Sequence, residues 1–117
     1  MEIKKEFINP LLLTLASYDE KTGMPVAGIL FEEISLGLKR KLQKIHKELL
    51  QHSSDLENDS KEIEKRLNGN VSEKENEFKI LLAEKVNLSS EPAMISEIEK
   101  IVTKVNYDFN LIEMITK

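Results

Sequence analysis

Phe31, Ile34, Leu38, Leu42, Ile45 and Leu49 recur at steps of three and four, with charged or amide side chains at most positions between them. That period puts the six on one stripe of an α-helix. No proline interrupts the chain after Pro25 as far as Leu67, and Ile63 and Leu67 resume the stripe. The pattern therefore predicts a single helix from Pro25 to Leu67, about 43 residues and roughly 60 Å long at 1.5 Å per residue. Pro25 suits its first turn, where the fixed φ is harmless. The steps depart from a strict heptad, which favours a nearly straight helix pair over a supercoiled rope. Between Gln51 and Glu62 the only large apolar residue is Leu56. Ser53, Ser54, Asp55, Asn58, Asp59 and Ser60 compete there for backbone hydrogen bonds, so a kink or break is expected in that stretch.

Asn68, Gly69 and Asn70 punctuate the chain, because glycine and asparagine tolerate the left-handed conformation that ends helices. Ser72 and Glu75 have the spacing of a capping box, and Phe78, Leu81, Leu82 and Val86 give the next helix its stripe. With so short a connector this helix should fold back antiparallel on the distal part of the long one. Upstream, Asn9 before Pro10 reads as a helix start, followed by a short helix carrying Leu11, Leu12, Leu15 and Ala16 and by a turn over Tyr18 to Gly23. Downstream, Val86, Asn87 and Leu88 alternate like a strand and Ser89 to Pro92 reads as a turn. Met94, Ile95, Ile98, Ile101, Val102 and Val105 then favour an amphipathic helix, and Tyr107 to Ile115 a last apolar helix docked near the first. No repeat or linker divides residues 1–117, so the reading is one mainly α domain: a helical hairpin with short terminal helices.

Composition narrows the function classes. The 117 residues are 40% hydrophobic and 32% charged, with a net charge of −4. Without a basic excess, binding driven by counterion release from nucleic acid is not expected. The absence of cysteine removes disulfides, thiolate metal sites and cysteine nucleophiles, and fits a reducing, cytoplasmic setting. The run around Leu11 to Leu15 is far short of the ~20 apolar residues that span a bilayer, so neither a membrane span nor a secretion signal is expected.

Candidate chemistry is sparse. Lys39, Arg40, Lys41, Lys44 and Lys47 concentrate positive charge, and Arg40, Lys44 and Lys47 share a helix face on which phosphates could be tracked. No aromatics interleave to stack bases, so a solvated or acid-paired face is the plainer reading; the acidic stretch from Asp55 to Glu64 of a neighbouring copy could receive it. His46 and His52 are six apart, not the i, i+4 of a helical metal clamp. His52 continues the apolar stripe as a polar seam position. Glu32, Glu33 and the carboxylates from Glu73 to Glu77 have no matched nucleophile or histidine, and general acid–base work needs positioned partners. No catalytic residue, metal, cofactor or small-molecule substrate is assigned, and no enzymatic activity is expected. The small residues Ala27, Gly28, Ser35 and Gly37 weaken a helix unless something packs closely against them. Ala27, Gly28, Phe31, Ile34, Leu38 and Leu42 are accordingly the candidate interface for self-association or for another protein, with a crowded intramolecular core as the competing role.

Met24-Pro25-Val26-Ala27 opening a charged helix, Glu75-Asn76-Glu77-Phe78 with Leu81-Leu82 on the return helix, Val86-Asn87-Leu88 and the terminal Leu111-Ile112-Glu113-Met114-Ile115 stand in an order that resembles small helical-hairpin proteins of tailed bacteriophages. The resemblance covers most of the chain and lies in arrangement. It implies no catalytic residues, a small β pair over Val86 to Ile98 as the alternative to helix there, and a noncatalytic role as a virion component or accessory factor, in the virion or the host cytoplasm. A nucleic-acid-binding regulator using Arg40, Lys44 and Lys47 is the alternative function.

Overall fold

The computed structural model describes residues 1–102 and 108–116. It is mainly helical, around the long helix α2, Leu36–Arg66, of 31 residues. At 1.5 Å per residue α2 is roughly 46 Å long, close to the longest dimension of the molecule, 49 Å. Its start corrects the sequence reading, which opened the helix at Pro25. Ser35 is the N-cap, its Oγ accepting from the Leu38 amide at 3.2 Å. Upstream, Pro25–Ala27 is strand β3, paired antiparallel with β2, Ser17–Tyr18, and a 3₁₀ turn follows over Ile29–Phe31. The reason is Gly28, whose φ of 144° is incompatible with a helix. The apolar cluster Val26 to Phe31 thus belongs to a hairpin and turn rather than to an all-round greasy helix end.

The expected break between Gln51 and Glu62 does not occur: α2 is continuous. Gln51, Ser53, Asp55 and Ser60 make hydrogen bonds that leave the helical ladder intact. Gln51 Nε2 donates to Asp55 Oδ1 at 3.2 Å, Ser60 Oγ donates back to the Leu56 carbonyl at 2.8 Å, and Ser53 Oγ donates to Asn9 Oδ1 at 2.7 Å. Asn9 therefore bonds across to α2 instead of capping its own helix. That helix, α1, runs Ile8–Leu15 after strand β1 (Glu2–Lys4) and a 3₁₀ turn over Lys5–Phe7. Pro10 still lies in the first turn of α1, where a missing amide costs nothing.

At the far end Gly69 takes φ 87°, the left-handed conformation expected of it. The return helix α3, Val71–Ala83, is capped by Asn70, whose Oδ1 accepts from the Glu73 amide at 3.2 Å. Asn70 replaces the expected Ser72–Glu75 box because α3 begins one position before Ser72. Lys74, near the start of α3, pairs with Glu64 at 2.6 Å, whereas Glu84, at its end, and Asp59, earlier on α2, both reach Lys5, at 2.8 and 4.0 Å, so α3 runs back antiparallel along α2. Leu56, Ile63 and Leu81, flanked by Leu67 and Phe78, form a small core inside this hairpin.

The chain then enters β4, Lys85–Asn87, which pairs antiparallel with β1 in the register Glu2↔Asn87, Ile3↔Val86 and Lys4↔Lys85. Val86 is thus in a β pair, and not on the stripe of α3. Helix is found over Ile95–Val102 (α4) and Phe109–Glu113 (α5); Val105 and Tyr107 of the expected helices lie outside the described residues. An isolated bridge, Ala93 to Thr116, ties the two C-terminal segments together. The main core gathers Ile3, Ile8, Leu11, Leu15, Ile29, Leu38, Leu42, Ile45, Leu49, Leu88, Ile98, Ile112 and Ile115 at the proximal half of α2. No described polar or charged residue is buried.

Candidate interaction surfaces

The six residues singled out as a candidate interface separate into three environments. Leu38 and Leu42 are fully buried in the main core, and Ile34 is half-buried against it. Gly28 is buried, its Cα so close to the end of α1 that a Cβ would stand 2.4 Å from the Leu15 carbonyl oxygen. Ala27 and Phe31 are exposed. The close packing expected at the small residues is real at Gly28 alone: Ser35 is a cap, and a Cβ at Gly37 would meet nothing within 4 Å.

Phe31 belongs to a surface that the α2 stripe did not reveal. Its ring meets Tyr18 edge to face, with centroids 5.5 Å apart, although 42% of Phe31 and 52% of Tyr18 remain exposed. Tyr18 pairs with Pro25 across the β2–β3 ribbon. The turn between the strands is closed by Asp19, whose amide donates to the Met24 carbonyl at 2.9 Å and whose Oδ1 accepts from the Lys21 and Thr22 amides at 2.8 and 3.2 Å. Met24 and Val26 project from this turn and ribbon about two-thirds exposed. Aromatic residues and methionine are among the residue types enriched at protein interfaces. The sequence signal was available in Tyr18 and Met24 to Phe31, but it reads as a hairpin only if the helix is started at Ser35.

The basic residues lie on the first half of α2. Lys39, Arg40, Lys44 and Lys47 are exposed and make no ion pair among the described residues, while Lys41 pairs with Glu97 of α4 at 3.6 Å. Beside Lys41 and Lys44, the loop after β4 is clamped to α2 by Glu48. Its carboxylate accepts from the Ser89 and Ser90 amides at 2.8 and 2.7 Å, and from the Ser90 hydroxyl. Desolvation pushes this carboxyl up, but the Ser90 hydroxyl and the two amides together outweigh it and hold it below the usual value of 4.5. A folded-state value below the unfolded one means the clamp stabilises above the ordinary glutamate range and is lost as pH falls through the folded value. Replacing Glu48 with alanine is expected to cost about 1–3 kcal/mol at neutral pH, the range for losing charge-assisted bonds to amides. In thermal melts the gap between the two proteins should close as the pH is lowered below 4.5; a gap independent of pH would assign the loss to packing.

A shallow groove of about 400 Å³ between α1, α2 and α3 has an apolar floor of Leu56, Phe78 and Leu82, with Asn9, Ser53, Glu57 and Ser60 around it. Burial lowers the His46 pKa, and His52 is half-buried on another side of the helix. Among the described residues no group of three His, Cys, Asp or Glu side chains converges as a metal site, and no helix is long and apolar enough to cross a membrane. No family model, characterised protein or solved structure matches the chain.

Proposed function

We propose that this chain is a noncatalytic interaction or assembly protein that docks another protein through the β2–β3 hairpin. The observation that carries the reading is the exposure of Tyr18, Met24 and Val26 on the hairpin and of Phe31 in the turn after it, its ring against Tyr18, with Gly28 between them packed on Leu15. Scattered single apolar residues need no explanation, but several exposed close together are the kind of surface that marks an interaction site. The resemblance in element order to tailed-phage helical-hairpin proteins, apart from the helix start at Pro25, favours the same class, a virion component or accessory factor.

The nucleic-acid reading has one observation in its favour, the free cations Arg40, Lys44 and Lys47. It is the weaker reading because the acids Asp55 and Glu62 are exposed farther along the same helix, where an extended polyanion lying on α2 would be repelled.

Photo-crosslinking from position 26 in the cells that make the protein tests the hairpin. A discrete protein adduct is expected, reduced at least about tenfold by the surface pair Met24→Ser and Phe31→Ser, as for loss of central interface contacts. An adduct pattern no different from that of a crosslinker placed at exposed Lys65 would overturn the reading.

A further inference from the structure

We propose that the solvent face of α2 pairs with the same face of a second copy of this chain, the two helices running antiparallel about a two-fold axis near Gln51. This surface is separate from the hairpin and the inference does not rest on the hairpin reading. Arg40, Lys44 and Lys47 stand at i, i+4 and i+7, turned away from the buried stripe of Leu38, Leu42, Ile45 and Leu49. Farther along, Asp55 and Glu62 are exposed. Asp55 accepts only from the neutral Gln51 amide, and Glu62 has no ion-pair partner among the described residues. The other charges of the hairpin are mostly matched within the monomer: Glu57 with Lys61, Glu64 with Lys74, Arg66 with Glu77, and Lys5 with Glu84. The excess cations of one half of α2 and the excess anions of the other lack counter-charge at home.

An antiparallel copy supplies that counter-charge in a single register. Arg40 and Glu62 lie equally far from Gln51 along the helix, and so do Lys47 and Asp55. Setting Gln51 against its own mate brings Arg40 beside the second copy's Glu62 and Lys47 beside its Asp55, and the two-fold repeats both pairs. Lys44 meets Asn58 in the same register. At 3.6 residues per turn all four side chains lie within about 40° of the Gln51 direction, so although the members of each pair stand on opposite flanks of the shared face, the long arginine and lysine side chains can reach across it. Because individual exposed ion pairs contribute little, the dimer is weak and salt-dependent, formed at high protein concentration rather than obligate.

Sedimentation equilibrium of the full chain reads this directly. A reversible monomer–dimer equilibrium is expected at about 0.05 M salt, with the dissociation constant raised at least about tenfold at about 0.5 M, where charges are screened within a few Å. The variants Arg40→Glu with Lys47→Glu, and Asp55→Lys with Glu62→Lys, each give the four paired positions one sign and should be monomeric alone. Mixed in equal amounts they restore every pair in the proposed register and should form a heterodimer. All these side chains are exposed, so both variants keep the helicity of the parent. The chain has no cysteine, so Gln51→Cys alone should oxidise to a disulfide dimer at least about tenfold faster than Glu73→Cys, in keeping with the effective concentration of a residue on the axis. A mixture that stays monomeric, or equal oxidation at both positions, overturns the proposal. So does a protein that is monomeric at low salt while its basic face binds duplex DNA. Substituting Met24 and Phe31 should leave this equilibrium unchanged, which separates its failure from that of the hairpin.

Discussion

Gly28→Ala is expected to destabilise the protein by about 3–5 kcal/mol, combining backbone strain with overpacking against atoms that have little room to move. The residue sits at φ 144°, ψ 158°, a region open essentially to glycine. The added methyl would stand 2.4 Å from the Leu15 carbonyl oxygen, 2.7 Å from the Ala16 Cα and 2.8 Å from the Leu15 carbonyl carbon. All three are backbone atoms at the end of α1, so relief requires shifting the junction of α1 with the β2–β3 ribbon rather than turning a side chain. Ile29 and Leu30, next in the chain, are both buried in the main core, so the shift would propagate inward. The thermal midpoint should fall by roughly 10–20 °C for a domain of this size. Gly23→Ala is the control. Gly23 also has positive φ, 70°, but a Cβ there meets nothing within 4 Å, so only the strain remains, about 1 kcal/mol. Equal losses in the two variants would show that the contact with α1 contributes nothing.

The same glycine explains where the sequence reading succeeded and where it stopped. The stripe from Leu38 through Leu49 and the punctuation at Gly69 depend on local periodicity and backbone freedom, and both are legible without tertiary information. The boundary at Ser35 is not. Pro25 is a good first-turn residue and Val26 to Phe31 is apolar enough to continue a helix, and what forbids the helix is a close approach between segments that only the folded chain brings together. Asn9 and Ser72 illustrate the same limit at smaller scale. Each is chemically fit to cap, but Asn9 is engaged by Ser53 across the helix interface, and Asn70 reaches the Glu73 amide first. The strand over Lys85–Asn87 lies between these cases. Its alternation was visible, while its partner, β1 at the opposite end of the sequence, carries no local mark of pairing. Of the surfaces, the charges on α2 could be read directly, because an exposed helical face follows from the buried one. The hairpin patch could not, since it depends on the misplaced boundary.

Leu42→Ala is expected to cost about 3–5 kcal/mol, the range for truncating a leucine in a close-packed interior that collapses only partly around the cavity. Leu42 is 0% exposed and sits in the cluster shared by α1, the proximal half of α2 and the C-terminal helices. The loss should therefore be the same at every protein concentration, which distinguishes a core residue from the interface residue that the bare stripe also allowed. Leu56→Ala provides the comparison within the same helix. Leu56 is 7% exposed and belongs to the small hairpin core with Ile63 and Leu81. That core has few neighbours to hold a cavity open and lies beside an accessible groove, so its loss should fall nearer 2 kcal/mol, at the low end for such truncations. Urea unfolding of both variants at two widely separated protein concentrations gives the answer. A Leu42→Ala penalty that grows with concentration would place the residue at a subunit contact. Equal penalties at the two positions would mean that the distal hairpin is packed as tightly as the core it extends from.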